Sequence, residues 1–186
     1  MADPARRRAT YEDLQQVPDH LVAEILNGEL VTSPRPGPPH ARAASSLSGE
    51  LYGPFDRGCG GPGGWVILYE PELHLYGDAL VPDIAGWRRT RMPVLPQVSA
   101  FELAPDWVCE VLSASTAARD RADKLPIYAR EDVGHVWLVD PLPQTLEVLC
   151  LDGSGYRLVG VWRGSSVVEC ELFESLAINL ADLWST

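Results

Sequence analysis

The chain has 186 residues, 46% of them hydrophobic and 22% charged, which suits one domain with a substantial core and excludes a disordered chain. Acids outnumber bases 26 to 15, and the net charge of −11 argues against broad non-specific DNA binding, though not against a nucleic-acid enzyme with a local basic rim. No apolar run reaches membrane-spanning length and the start, Met1 to Arg8, lacks the apolar stretch of a signal peptide, so a soluble cytoplasmic protein with no membrane partner is expected. The four cysteines (Cys59, Cys109, Cys150, Cys170) show no CxxC spacing, which speaks against a zinc or redox motif.

In chain order, residues 1–9 are expected to be a flexible N-terminus. Thr10-Tyr-Glu-Asp13 is a helix-capping pattern. Two apolar runs, Leu21 to Leu26 and Glu29 to Thr32, flank Asn27-Gly28, the strongest short signal for a β-hairpin. The proline-rich stretch 33–39 is a loop, and His40 to about Phe55 suits a helix ended by the glycine cluster 58–64. Strands are expected at Trp65 to Tyr76, with Pro71 marking a bulge or an edge, and at Ala79 to Trp87. Residues 88–104 read as a surface loop. Trp107 to Leu112 reads as a central strand, and Ser113 to Ser115 cap a helix running to about Glu131. Val136 to Val139, Thr145 to Leu151, Tyr156 to Trp162 and Val167 to Leu172 follow as strands, and Leu176 to Trp184 as a short helix. No repeat or linker divides 1–186. The order is that of an α/β (α+β) domain with a central mixed sheet flanked by helices, an N-terminal hairpin and a C-terminal antiparallel strand extension.

Fourteen of the fifteen basic side chains are arginine, and the single lysine is Lys124. Arginine is a fixed, planar fork, whereas lysine is a compact point charge, so one lysine in an arginine-rich chain marks a place where the difference counts. Asp83 and Glu110 each interrupt an apolar run. An isolated carboxylate in such a place carries a desolvation cost of several kcal/mol, and two side by side repel unless a cation neutralises them. Carboxylate oxygens are the natural ligands of Mg²⁺. Asp120, Lys124 and Tyr128 fall at i, i+4 and i+8, on one helical face. The bland alternative is a solvent-facing Asp120–Lys124 ion pair. Lesser candidates are His40 at a helix start, Glu29 after the hairpin turn, Glu70 and Glu72 on one side of a strand, and Asp120 as a positioner of Lys124. The six tryptophans are expected in the core.

Four segments in this order, Val81-Pro-Asp83, Pro105-Asp-Trp-Val-Cys-Glu-Val-Leu-Ser113, Asp120-Arg-Ala-Asp-Lys124 with Tyr128, and His135-Val-Trp-Leu-Val-Asp-Pro141, resemble the Uma2 family of endonucleases (DUF820), within the PD-(D/E)XK nuclease superfamily. The Asn27-Gly-Glu-Leu-Val31 hairpin and His40 agree with it. The resemblance spans roughly residues 10–184 and implies a restriction-endonuclease-like core. It also implies Asp83 and Glu110 as ligands of Mg²⁺ or Mn²⁺, and a metal-activated water that hydrolyses DNA phosphodiester bonds. The superfamily lysine two residues after the acid is replaced here by Leu112, and the resemblance places its counterpart at Lys124 on the following helix.

Two other functions compete. One is a catalytically weak or inert nuclease-fold interaction module, favoured by the acidic charge and the missing strand lysine. The other is a metal-dependent phosphodiesterase acting on RNA or nucleotides. A homodimer is compatible with the nuclease reading, since many enzymes that cut both strands dimerise.

Overall fold

Local chemistry sets the first elements of the computed structural model, which describes residues 7–174 and 176–185. Thr10 caps helix α1 (Tyr11–Gln15): its hydroxyl accepts from Asp13 N at 3.4 Å, while the Asp13 carboxylate accepts from Thr10 N at 2.8 Å. Of the segment expected to be flexible, residues 1–6 lie outside the described residues, and Ala9 N donates to Gly28 O. Strands β1 (Leu21–Leu26) and β2 (Glu29–Pro34) pair antiparallel across Asn27 and Gly28, whose φ angles of 55° and 82° are those a two-residue hairpin turn demands. Helix α2 (Pro38–Leu51) buries the stripe His40, Ala43, Ala44, Leu47 and Leu51, and closes in a π-helical turn over Tyr52–Asp56.

The stretch expected as two long strands forms four short ones. They are β3 (Trp65–Tyr69), β4 (Leu73–Leu75), β5 (Asp78–Leu80) and β6 (Ile84–Arg88). Glu70 turns the chain at a φ of 45° just before Pro71, and Tyr76-Gly77 makes a second tight turn at 46° and 92°. The chain thereby leaves the central sheet after β3, forms the β4–β5 hairpin beside β1, and returns as β6. Strand β7 (Trp107–Val111) then runs antiparallel to β6, and a helical crossover leads to β8 (His135–Asp140), which is parallel to β7. Strands β9 (Thr145–Asp152) and β10 (Gly155–Arg163) extend the sheet antiparallel. The central mixed sheet has the order β10-β9-β8-β7-β6-β3, and the smaller sheet β2-β1-β5-β4.

Strand alternation divides the core between two faces. Trp107, Cys109 and Val111 of β7, with Trp137 and Val139 of β8, pack against α2. Val108 and Leu112, with Val136 and Leu138, pack against the crossover helix and the smaller sheet. Trp65, Trp87, Trp107 and Trp137 are fully buried, as expected of core residues, whereas Trp162 and Trp184 are only partly buried and pack against the core from outside. The C-terminal expectations need correction. Only Val167–Glu169 of the expected strand forms one (β11), since its continuation turns into a 3₁₀ segment. The expected terminal helix is first a strand, β12 (Ala177–Asn179), paired with β11, and only Ala181–Trp184 is helical.

Candidate active site

The crossover after β7 positions the lysine. Its first turn, α3 (Ala117–Arg119), follows Thr116, whose side chain makes no cap bond, so the expected serine cap is absent. The chain then winds as a π-helix over Asp120–Lys124 and returns to α-helix as α4 (Leu125–Arg130). Single π turns inside helices recur at functional sites. Here the wider turn coincides with the two charged residues that point inward. Lys124 is 5% exposed and Asp120 2%, so the solvent-facing ion pair is ruled out.

Glu110 shares its face of β7 with Val108 and Leu112, and therefore meets the crossover helix. Its carboxylate accepts from Tyr128 Oη at 2.5 Å and from Lys124 Nζ at 3.1 and 3.3 Å. Asp83 lies in the bend just before β6 rather than within a strand. Because Ile84 pairs with Cys109, one further step sets Asp83 beside Glu110. Asp83 Oδ2 accepts from Val111 N at 2.7 Å, and His40 Nε2 of α2 lies 3.2 Å from Asp83 Oδ1. His40 Nδ1 is buried without a partner.

A fourth buried carboxylate was not singled out in the sequence. Glu24, in the middle of β1, lies 3.0 Å from Lys124 Nζ and accepts from Val81 N at 2.9 Å. Its signal was there: an acid inside the apolar run Leu21 to Leu26, the same pattern that marked Glu110. With Asp120 Oδ1 at 3.4 Å, the Lys124 ammonium has three carboxylates around it.

These groups form the floor of a cleft of about 480 Å³ between the N-terminal hairpin and the central sheet. Glu70 and Glu72 also line it, although they belong to the β3–β4 connection rather than to one strand. Glu72 Oε1 pairs with His74 at 2.6 Å. Glu29 opens β2 next to the hairpin turn and is not among the cleft residues. Several arginines of segments 88–91 and 119–130 are tied up by acids: Arg121 pairs with Glu147, Arg130 with Asp78, Arg89 with Asp56 and Arg91 with Asp106.

The charge balance is uneven. Four carboxylates, Glu24, Asp83, Glu110 and Asp120, are buried here with one lysine, which contacts three of them. Burial pushes Glu110 well above the usual carboxylate range; Lys124 opposes that shift, and the neighbouring acids reinforce it. Asp120 is raised for the same leading reason. Burial disfavours the Lys124 ammonium, but Glu110, Glu24 and Asp120 outweigh it and hold its pKa well above the ordinary lysine value. Lys124 is thus a permanent positive charge, and the surplus negative charge resides on the acids. Burial first, and then Glu110, raise the Tyr128 hydroxyl, which remains a donor.

Among the described residues, no three His, Cys, Asp or Glu side chains stand arranged ready to hold a metal ion. The donor set nevertheless fits a hard divalent cation. Mg²⁺ is commonly held by one or two carboxylates, with water and substrate phosphate completing its shell. Asp83 and Glu110 are such a pair, and the surplus negative charge is what a cation relieves.

A helix, an antiparallel run of strands, a crossover and a parallel strand, with acids and a lysine at the sheet's cleft, define a nuclease-type α+β fold. A profile of the Uma2 family, described as "Putative restriction endonuclease", matches residues 8–181, and the chain belongs to that family. It is similar to the solved structure of "a putative nuclease belonging to DUF820" from Anabaena variabilis ATCC 29413, with 20% identity, 95% of this chain and 97% of that one covered, and a TM-score of 0.76. At that identity the likeness is one of fold. No curated protein matches the sequence. No helix among the described residues is long and apolar enough to cross a membrane.

Proposed function

We propose that the protein is a Mg²⁺- or Mn²⁺-dependent endonuclease that hydrolyses DNA phosphodiester bonds in the cleft beneath the N-terminal hairpin. The observation that carries this reading is the surplus of buried carboxylates around one ammonium on the cleft floor. Asp83 and Glu110 would hold the cation. When bound, it supplies charge stabilisation at the phosphoryl oxygens and lowers the pKa of water. The chain's own residues do the rest. Val111 N and His40 fix the two oxygens of Asp83, and Tyr128 fixes Glu110. Glu24 and Asp120 hold Lys124 in place and charged, so at neutral pH it serves as an electrostatic stabiliser of the phosphoryl oxygens and not as a proton acceptor.

One observation favours a second reading, an inert interaction module. The Lys124 ammonium already satisfies three of the acids by itself. Incubation of supercoiled plasmid with Mg²⁺ or Mn²⁺ separates the two. The endonuclease reading expects nicking that EDTA and Asp83→Asn abolish, and that Lys124→Ala abolishes while metal binding persists. Full cleavage by Lys124→Ala would remove Lys124 from the mechanism. Activity confined to RNA or nucleotides would keep the metal site and change the substrate.

A further inference from the structure

Resting on the nuclease reading above, we infer that Arg35 and Arg119 form a phosphate-binding rim on the hairpin side of the cleft and hold the nucleic-acid strand next to the scissile bond. A polyanion entering this cleft meets carboxylates on its floor and on its β3–β4 side, so attraction beyond that of Lys124 and a bound cation has to come from the hairpin rim. There, Arg35 follows β2 and lines the cleft. Its Nε and Nη2 donate to a neutral acceptor, the Asp19 carbonyl, at 3.3 and 2.9 Å. Arg119 ends α3, and its Nη1 donates at 2.7 Å to the hydroxyl of Ser33, a cleft residue two positions before Arg35.

Among the described residues neither guanidinium has a carboxylate within 4.0 Å. Arg8, Arg42, Arg57, Arg88 and Arg163 share that property, but of all these arginines only Arg35 lines the cleft and, besides it, only Arg119 is bonded to a cleft residue, Ser33. Arg121 and Arg130, on the same crossover as Arg119, are each tied to carboxylates. The Arg88 guanidinium stacks on Trp65 and does not line the cleft. Arg35 and Arg119 are therefore oriented by neutral oxygens while keeping their charge uncompensated. Planar forks held this way suit bidentate contact with phosphate oxygens. Both make contact with a substrate strand without touching the reacting phosphate, which makes them positioning residues.

The test is the salt dependence of binding. Anisotropy of a short fluorescein-labelled oligonucleotide, single-stranded and as duplex, is followed in Ca²⁺ across salt concentrations for wild type, Arg35→Gln, Arg119→Gln, the double variant and the two lysine variants. Each lost phosphate contact is expected to lower the slope of log K against log salt by about 0.7 for single strands or about 0.9 for duplex, and the double variant by about twice as much. Arg35→Lys and Arg119→Lys should keep most of the slope, which a purely structural role would not predict. If Arg119→Gln fails to fold because its bond to Ser33 is lost, Arg35→Gln and Arg119→Lys carry the comparison. Retained binding with unchanged slopes in the folded glutamine variants overturns the rim, as does the absence of oligonucleotide binding by wild type. Binding with the expected slopes but no cleavage with any metal leaves the rim standing and removes the endonuclease reading instead.

Discussion

Replacing Lys124 with alanine removes the positive charge that Glu24, Glu110 and Asp120 share. Removing one partner of a buried ion pair typically costs about 3–5 kcal/mol, because the remaining charge is left without compensation. For a chain of this size each kcal/mol lowers Tm by about 2–4 °C, so a drop of roughly 6–20 °C is expected at neutral pH. The loss is pH-dependent with a definite sign. Burial, reinforced by neighbouring acids, already raises Glu110 and Asp120, so the fold binds their protons more tightly than the unfolded chain does. That stabilising contribution is complete below the ordinary carboxylate range and fades as pH rises through the raised folded values. Without Lys124 both values climb further, and the variant is therefore hurt least in acid and most at neutral to alkaline pH. Urea denaturation of both proteins at pH 5 and pH 8, with and without Mn²⁺, reads each part. Mn²⁺ should recover part of the loss at pH 8 by replacing the missing cation. Equal stability of Lys124→Ala and wild type at pH 8 would refute the buried-charge reasoning.

Three further outcomes follow from the same geometry. Mn²⁺ affinity should rise with pH from the ordinary carboxylate range upward, with protons released on binding, because Glu110 and Asp120 must ionise fully; calorimetry in buffers of different ionisation enthalpy counts those protons, and a pH-independent affinity would contradict the raised values. Tyr128→Phe keeps the ring but deletes the 2.5 Å bond to the Glu110 carboxylate, and should cost about 1.5–3 kcal/mol in chemical denaturation. In Gly86→Ala the new Cβ would stand 3.1 Å from Trp107 and 3.2 Å from Trp65, two rigid buried indoles on the strands flanking β6; overpacking of about 1–3 kcal/mol is expected, and unchanged denaturation would show that β6 can yield.

The sequence was most informative where one residue type has one physical reason to be where it is. Asn27-Gly28 and Thr10 with Asp13 are of this kind, and the structure has both features as expected. Asp83, Glu110 and Lys124 could be singled out because charge in an apolar run, or a solitary lysine, is costly to explain otherwise, and the structure brings them into one cleft. Glu24 carried the same mark, but its segment was accounted for by the hairpin turn next to it. The division of residues 65–88 between two sheets depends on Glu70 and Tyr76 adopting positive φ, which neither side chain announces. The π turn at Asp120–Lys124 was equally silent, because its residues suit an ordinary helix and tertiary burial selects the wider winding.

Whether Asp83 and Glu110 hold a cation is decided by calorimetric titration of Mn²⁺ into wild type and Asp83→Asn, which needs no knowledge of the substrate. Wild type is expected to bind and Asp83→Asn not to, with the variant still folded because its amide oxygen can accept from Val111 N. Equal binding by both proteins, or none by wild type in millimolar metal, would contradict the metal site and leave Glu24, Glu110 and Asp120 as partners of Lys124, and Asp83 as a partner of His40 and Val111 N.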